Sequence, residues 1–334
     1  MIVKGGNHAV QRSQESAMKI LIWVICGLHQ AFGRTEIRNS KFELATLRLL
    51  VFLGWVEPIC CSVVSRAMWK YVCASLLCLS AVPVAAQEIP ALEVRIGEMV
   101  EDIECFSDPT QTYTLYVPTS YSSDRKLPVL LVFDPRGRSL LAAELFREAA
   151  EDFGWIIVSS DNTRSDGPWE PNLKAIQALW PEIHARIPID FSRVYAAGFS
   201  GGVAVATLLA RTTGEIAGII GAGGRKFENQ FESNELPFFG FAGDTDFNFL
   251  QMHLLDEFLA ENGNPHRLVV FDGTHTWMPD YLAYEAVEWM ELIAMKTGSR
   301  DRDPEMIASL FATDLDRAEI VADDGDLVSA MRRL

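Results

Sequence analysis

The chain has 334 residues, of which 49% are hydrophobic and 10% aromatic, enough apolar material for a sizeable core and too much for a disordered chain. Its formal net charge of -16 argues against nucleic acid and against anionic membrane surfaces as partners, since both are recognised by clustered Lys and Arg. Five of the six cysteines (Cys26, Cys60, Cys61, Cys73 and Cys78) precede residue 80, and no Cys/His spacing matches a zinc site, so no metal is expected.

In chain order, Met68-Trp69-Lys70 opens a basic start, residues 71–79 are apolar, and residues 80–86 are small with a Val84-x-Ala86 pattern. That succession reads as a secretory signal peptide over 68–86, cleaved after Ala86, with a secreted or periplasmic product and no stable membrane insertion once it is removed. The 67 residues before it are then an upstream extension outside the fold. The competing reading makes 20–28 and 44–56 membrane segments, although both are short and the second carries Arg48. Once residues 1–86 are removed, Cys105 is unpaired and reads as a small buried hydrophobe.

From residue 87 the pattern becomes that of a folded domain, expected over 87–297. Residues 93–96 and 112–117 read as an antiparallel strand pair around the turn-prone Ser107-Asp108-Pro109. Residues 129–133, uniformly apolar, read as a strand buried on both faces. A helix is expected over 140–153, strands at 155–160 and 193–197, and between them a helix over 172–187. A helix over 203–211, strands at 216–220 and 237–241, a helix over 249–262, a strand at 266–271 and a helix over 281–296 complete the domain. This alternation implies a doubly wound, mostly parallel sheet, whose chemistry gathers at the carboxyl ends of its strands. Residues 298–334 read as a C-terminal helical appendage, with helices over 304–312 and 318–334.

Gly198-Phe199-Ser200-Gly201-Gly202 lies where the strand at 193–197 runs into the helix at 203–211. A serine on so sharp a turn needs neighbours without side chains, which Gly198, Gly201 and Gly202 provide. Ser200 is the expected nucleophile, and the Gly201 N–H, at a helix N-terminus, is the expected oxyanion donor. The bland alternative is a tight turn carrying an idle serine. A nucleophilic serine needs a base. Of six histidines, His275 follows the last strand, in Asp272-Gly273-Thr274-His275-Thr276-Trp277, at the active edge of the sheet. The acid that orients it is sought between the two, in Gly243-Asp244-Thr245-Asp246-Phe247, where Asp246 is preferred and Asp244 and Asp272 remain rivals. In Asp134-Pro135-Arg136-Gly137, after the early buried strand, Pro135 has no N–H, which leaves Arg136 as a second oxyanion donor or as part of an ordinary Pro turn. Trp169 and Trp277 are candidate substrate-pocket walls, with core packing as the alternative.

These motifs resemble the α/β-hydrolase superfamily over roughly 112–296, and within it the secreted esterases of the polyhydroxybutyrate depolymerase, feruloyl esterase and dienelactone hydrolase type. The resemblance implies a catalytic triad of Ser200, His275 and Asp246. It also implies hydrolysis of a small-molecule or polymeric ester through an acyl-enzyme on Ser200, without metal or organic cofactor. Many relatives carry His-Gly where this chain has Asp134-Pro135, a departure at the oxyanion side. A serine peptidase with the same triad and a non-catalytic binding relative are the rival functions.

Overall fold

The computed structural model describes residues 92, 94–225, 236–323, 325 and 331, all within one unit, Ile89–Leu334. The expected signal peptide and upstream extension lie outside the described residues. The strands are β1 (Met99–Glu104), β2 (Thr112–Tyr116), β3 (Leu127–Phe133), β4 (Ile156–Ser160), β5 (Ile189–Phe199), β6 (Gly218–Ala222), β7 (Phe238–Gly243) and β8 (His266–Phe271). The helices are α1 (Ser139–Glu144), α2 (Arg147–Phe153), α3 (Glu170–Arg186), α4 (Gly201–Thr213), α5 (Phe249–Asn262), α6 (Asp280–Thr297) and α7 (Pro304–Asp323).

One eight-stranded sheet runs in the order β1-β2-β4-β3-β5-β6-β7-β8. β2 is antiparallel to both β1 and β4, and every pairing from β4 to β8 is parallel. All seven residues of β3 are buried, as the uniformly apolar run requires of a strand covered on both faces. One core cluster joins β3 residues such as Val129 and Leu131 to α3 and α4, and the other joins Leu130 and Val132 to α1, α2 and α6. The chain passes from β3 outward to β4 and returns on the other side of β3 as β5. Strand order therefore reverses between β3 and β5, where a crevice opens at the strand ends in such sheets.

Three expectations about elements are corrected. The edge strand is β1 at Met99–Glu104, and of the expected 93–96 strand only Ile96 pairs, in an isolated bridge to Val117. Its acidic residues face solvent, which blunts an edge but hides the apolar alternation a sequence reading needs. A bulge between Val100 and Ile103, with Asp102 at φ 55, breaks that alternation further. The helix expected over 140–153 breaks into α1 and α2 because Phe146 turns inward. Phe146 is buried, its N–H bonds to the Ala143 carbonyl at 3.0 Å, and its ring meets Trp277 edge-on at 6.1 Å. The two helices expected after residue 304 are one through Asp323. Leu310 and Ala318 are buried, and Asp314 and Arg317 pair with Arg267 and Glu288.

Candidate functional site

At the carboxyl end of β5 the chain reverses direction through Ser200 and enters α4. Ser200 has φ 51 and ψ -118, a conformation that costs a non-glycine residue on the order of 1–3 kcal/mol and persists only when its surroundings impose it. The imposition is visible in the flanking glycines. A Cβ on Gly198 would lie 2.2 Å from the Gly202 carbonyl carbon, and one on Gly202 would lie 1.9 Å from the Phe133 carbonyl oxygen. The Ser200 N–H donates to the Ala222 carbonyl at 2.8 Å, which ties the turn to β6.

His275 reaches the same place from the loop after β8. Its Nε2 is 2.9 Å from Ser200 Oγ, and its Nδ1 is 2.8 Å from Asp246 Oδ1. Since a carboxylate can only accept, Nδ1–H donates to Asp246 and Nε2 is left to accept the serine O–H. The Asp246 side chain is fully buried, whereas that of His275 is 19% exposed, so this line of hydrogen bonds is dry at one end and open at the other. Asp246 is held by its own loop: Oδ1 also accepts the Asn248 N–H at 2.7 Å, and the Asn248 amide donates to the Gly223 carbonyl at 2.8 Å. Gly223, at φ +53, must be glycine, because a Cβ there would stand 2.7 Å from Asp246 Oδ2.

The rival acids stand elsewhere. Asp244 is exposed and its Oδ1 accepts the Gly273 N–H at 3.1 Å, which steadies the backbone of the histidine loop without touching the ring. Asp272 is exposed. Thr245 adds a second tie, since its N–H and hydroxyl both donate to the Gly273 carbonyl, at 3.1 and 2.9 Å.

On the oxyanion side the Arg136 N–H is committed to Asp134 Oδ1 at 2.8 Å, so the donor expected there is bonded within its own turn. Asp134 is buried and accepts the Arg138 guanidinium at 3.0 and 2.8 Å and the Trp277 Nε1–H at 2.8 Å. Burial works against its charge. The hydrogen bonds from Arg138, Trp277 and the Arg136 N–H, and the Arg138 charge, outweigh it and hold the carboxyl below its ordinary value. The Gly201 N–H, first of α4, has no partner within the helix.

Trp277 is 5% exposed and packs on Phe146 and Phe199, so it is core and not a pocket wall. Trp169 is 39% exposed at the start of α3. Sequence reasoning overlooked Phe247, which is 75% exposed with its ring centred 3.9 Å from that of His275. It stands beside Asp246 in the motif already singled out, and an exposed aromatic next to a site residue was the available signal. Phe199 covers the imidazole too, at 4.7 Å. Among the described residues no group of three His, Cys, Asp or Glu side chains is arranged to hold a metal ion, and no helix is long and apolar enough to cross a membrane.

No protein-family model and no curated protein matches the chain. Among solved structures it is similar to the S-formylglutathione hydrolase FrmB from Staphylococcus aureus, at 17% identity and TM-score 0.47, covering 60% of this chain and 99% of that one. It is also similar to a ferulic acid esterase, at 16% identity and TM-score 0.46 over 59% of this chain and 97% of that one. Est1E from Butyrivibrio proteoclasticus is similar at 15% identity and TM-score 0.44, over 58% and 97% respectively. By its own sheet order, its antiparallel β2 and the strand–serine–helix turn after β5, the chain has the α/β-hydrolase fold.

Proposed function

We propose that the protein is a serine hydrolase that cleaves carboxylic esters through an acyl-enzyme on Ser200. The observation that carries this reading is the continuous line of hydrogen bonds from Ser200 Oγ through the His275 ring to the buried Asp246. A hydroxyl whose proton faces a neutral imidazole nitrogen is set for deprotonation as it attacks, and the carboxylate behind it stabilises the imidazolium that forms.

In this mechanism Ser200 Oγ adds to the ester carbonyl carbon while its proton passes to His275 Nε2. The carbonyl electron pair moves onto oxygen, where the Gly201 N–H at the α4 N-terminus meets the charge. Collapse expels the alcohol, protonated by His275. Water, deprotonated by the same nitrogen, then releases the acid and restores Ser200. Phe247 offers an apolar face beside the base for the acyl or alcohol group.

A fluorophosphonate probe should label the folded protein and fail to label Ser200→Ala, and p-nitrophenyl acetate turnover should vanish with the same substitution. A folded parent that takes no label would overturn the hydrolase reading. Faster release from a peptide amide than from the ester would assign the triad to a peptidase instead. The succession of basic, apolar and small residues over 68–86 supports an exported enzyme, and N-terminal sequencing of the secreted protein should begin near Gln87.

A further inference from the structure

A tetrahedral oxyanion is best met by at least two donors, and from Pro135 to Arg138, in the turn after β3, every backbone N–H is missing or already bonded. Pro135 lacks an N–H, those of Arg136 and Arg138 donate to Asp134 Oδ1 at 2.8 and 3.3 Å, and that of Gly137 donates to the Asp134 carbonyl at 3.1 Å. The Gly201 N–H alone would hold the charge.

Ser165, in the loop between β4 and α3, packs against the glycine that carries that one donor. A Cβ built on Gly201 would lie 2.5 Å from Ser165 Cβ and 3.7 Å from its Oγ, so the two residues are in direct contact. The residue is exposed, and its hydroxyl takes no hydrogen bond among the described residues. Its backbone, by contrast, is tightly held. The Ser165 N–H donates to the Pro135 carbonyl at 2.9 Å. The fully buried Asn172 accepts the Arg164 N–H at 2.8 Å and donates to the Arg164 carbonyl at 2.7 Å. An open hydroxyl on a clamped backbone, on a residue packed against the glycine that carries the N–H donor, is suited to charge stabilisation, which favours donors fixed before the reaction.

We propose that the Ser165 hydroxyl is the second oxyanion donor, in place of the backbone N–H of the β3 turn. This rests on the hydrolase reading of Ser200. As the Ser200 Oγ–carbon bond forms and the carbonyl π pair moves to oxygen, the Ser165 O–H donates a hydrogen bond to that oxygen and keeps its proton. The Ser200 proton goes to His275 as before.

The test compares the parent, Ser165→Ala and Ser165→Thr, with p-nitrophenyl acetate as substrate and phenylboronic acid as tetrahedral mimic. Ser165→Ala should lower kcat by about a hundredfold, the scale on which one oxyanion donor acts. KM and the melting temperature should hold, because the side chain is exposed and unbonded. The inhibition constant of phenylboronic acid should weaken in step with kcat, and Ser165→Thr, which keeps a hydroxyl, should recover most of the rate. A kcat for Ser165→Ala within about fivefold of the parent, or a change confined to KM, overturns the assignment and leaves the triad reading intact. A folded parent with no turnover and no fluorophosphonate label overturns both.

Discussion

Asp134→Asn removes the charge at the junction between the β3 turn and the histidine loop. The carboxylate accepts from five donors: the Arg136 and Arg138 N–H groups, Nε and Nη2 of Arg138, and Nε1 of Trp277. Asparagine keeps one acceptor oxygen and turns the other into a donor. Whichever way the amide sits, its NH2 faces either Trp277 Nε1 and Arg138 Nη2 or the backbone N–H groups. Breaking a buried ion pair typically costs about 3–5 kcal/mol. Here the Arg138 side chain is 39% exposed and can turn its charge to water, so the lower end, about 3 kcal/mol, is expected. For a domain of this size that is a fall of roughly 6–12 °C in melting temperature. The pH dependence has a definite sign. The Asp134 pKa lies below its ordinary 3.8, so its contribution is complete above that value and is lost as pH falls through the folded-state pKa. The gap between parent and variant in thermal melts should therefore be full at neutral pH and close in acid. A variant within about 2 °C of the parent at neutral pH, or a gap that persists unchanged through acid titration, would refute the reasoning.

Three further substitutions probe the site. Asp246→Asn should reduce kcat with p-nitrophenyl acetate by about 10⁴, the scale of losing the acid that orients a triad histidine. Asp244→Asn should retain most activity, because among the described residues the Asp244 carboxylate accepts from the Gly273 N–H and makes no hydrogen bond to His275; equal losses in the two variants would contradict the assignment. Gly202→Ala puts a Cβ 1.9 Å from the Phe133 carbonyl oxygen, backbone against backbone, and should cost about 3 kcal/mol or more in urea unfolding while abolishing fluorophosphonate labelling. A soluble, labelled Gly202→Ala protein of parental stability would show that the turn can open.

The alternation of buried strands and amphipathic helices, the small residues around Ser200 and the chain order of serine, aspartate and histidine are all legible in the sequence. Each is a local pattern: a strand buried on both faces needs an unbroken apolar run, and a turn this sharp needs glycine beside it. Geometry between segments could not be read there. Asp244 and Asp246 differ by two positions, and only the path of the β7–α5 loop decides that one carboxylate faces His275 and the other a backbone N–H. Pro135 has no N–H, which points to Arg136, yet the Arg136 N–H is taken by Asp134, a side chain two residues away that also accepts from Trp277 far along the chain. Trp277 reads equally as pocket or core until Phe146 and Phe199 close around it. Ser165 carries no sequence signal at all, because its place beside Gly201 is set by Asn172, by Pro135 and by the crossing of two loops. Local pattern sets the sheet, the turn and the short set of polar residues at its edge; the packing of distant segments sets which of their atoms meet, since side-chain direction and non-local hydrogen bonds arise only once the strands are aligned.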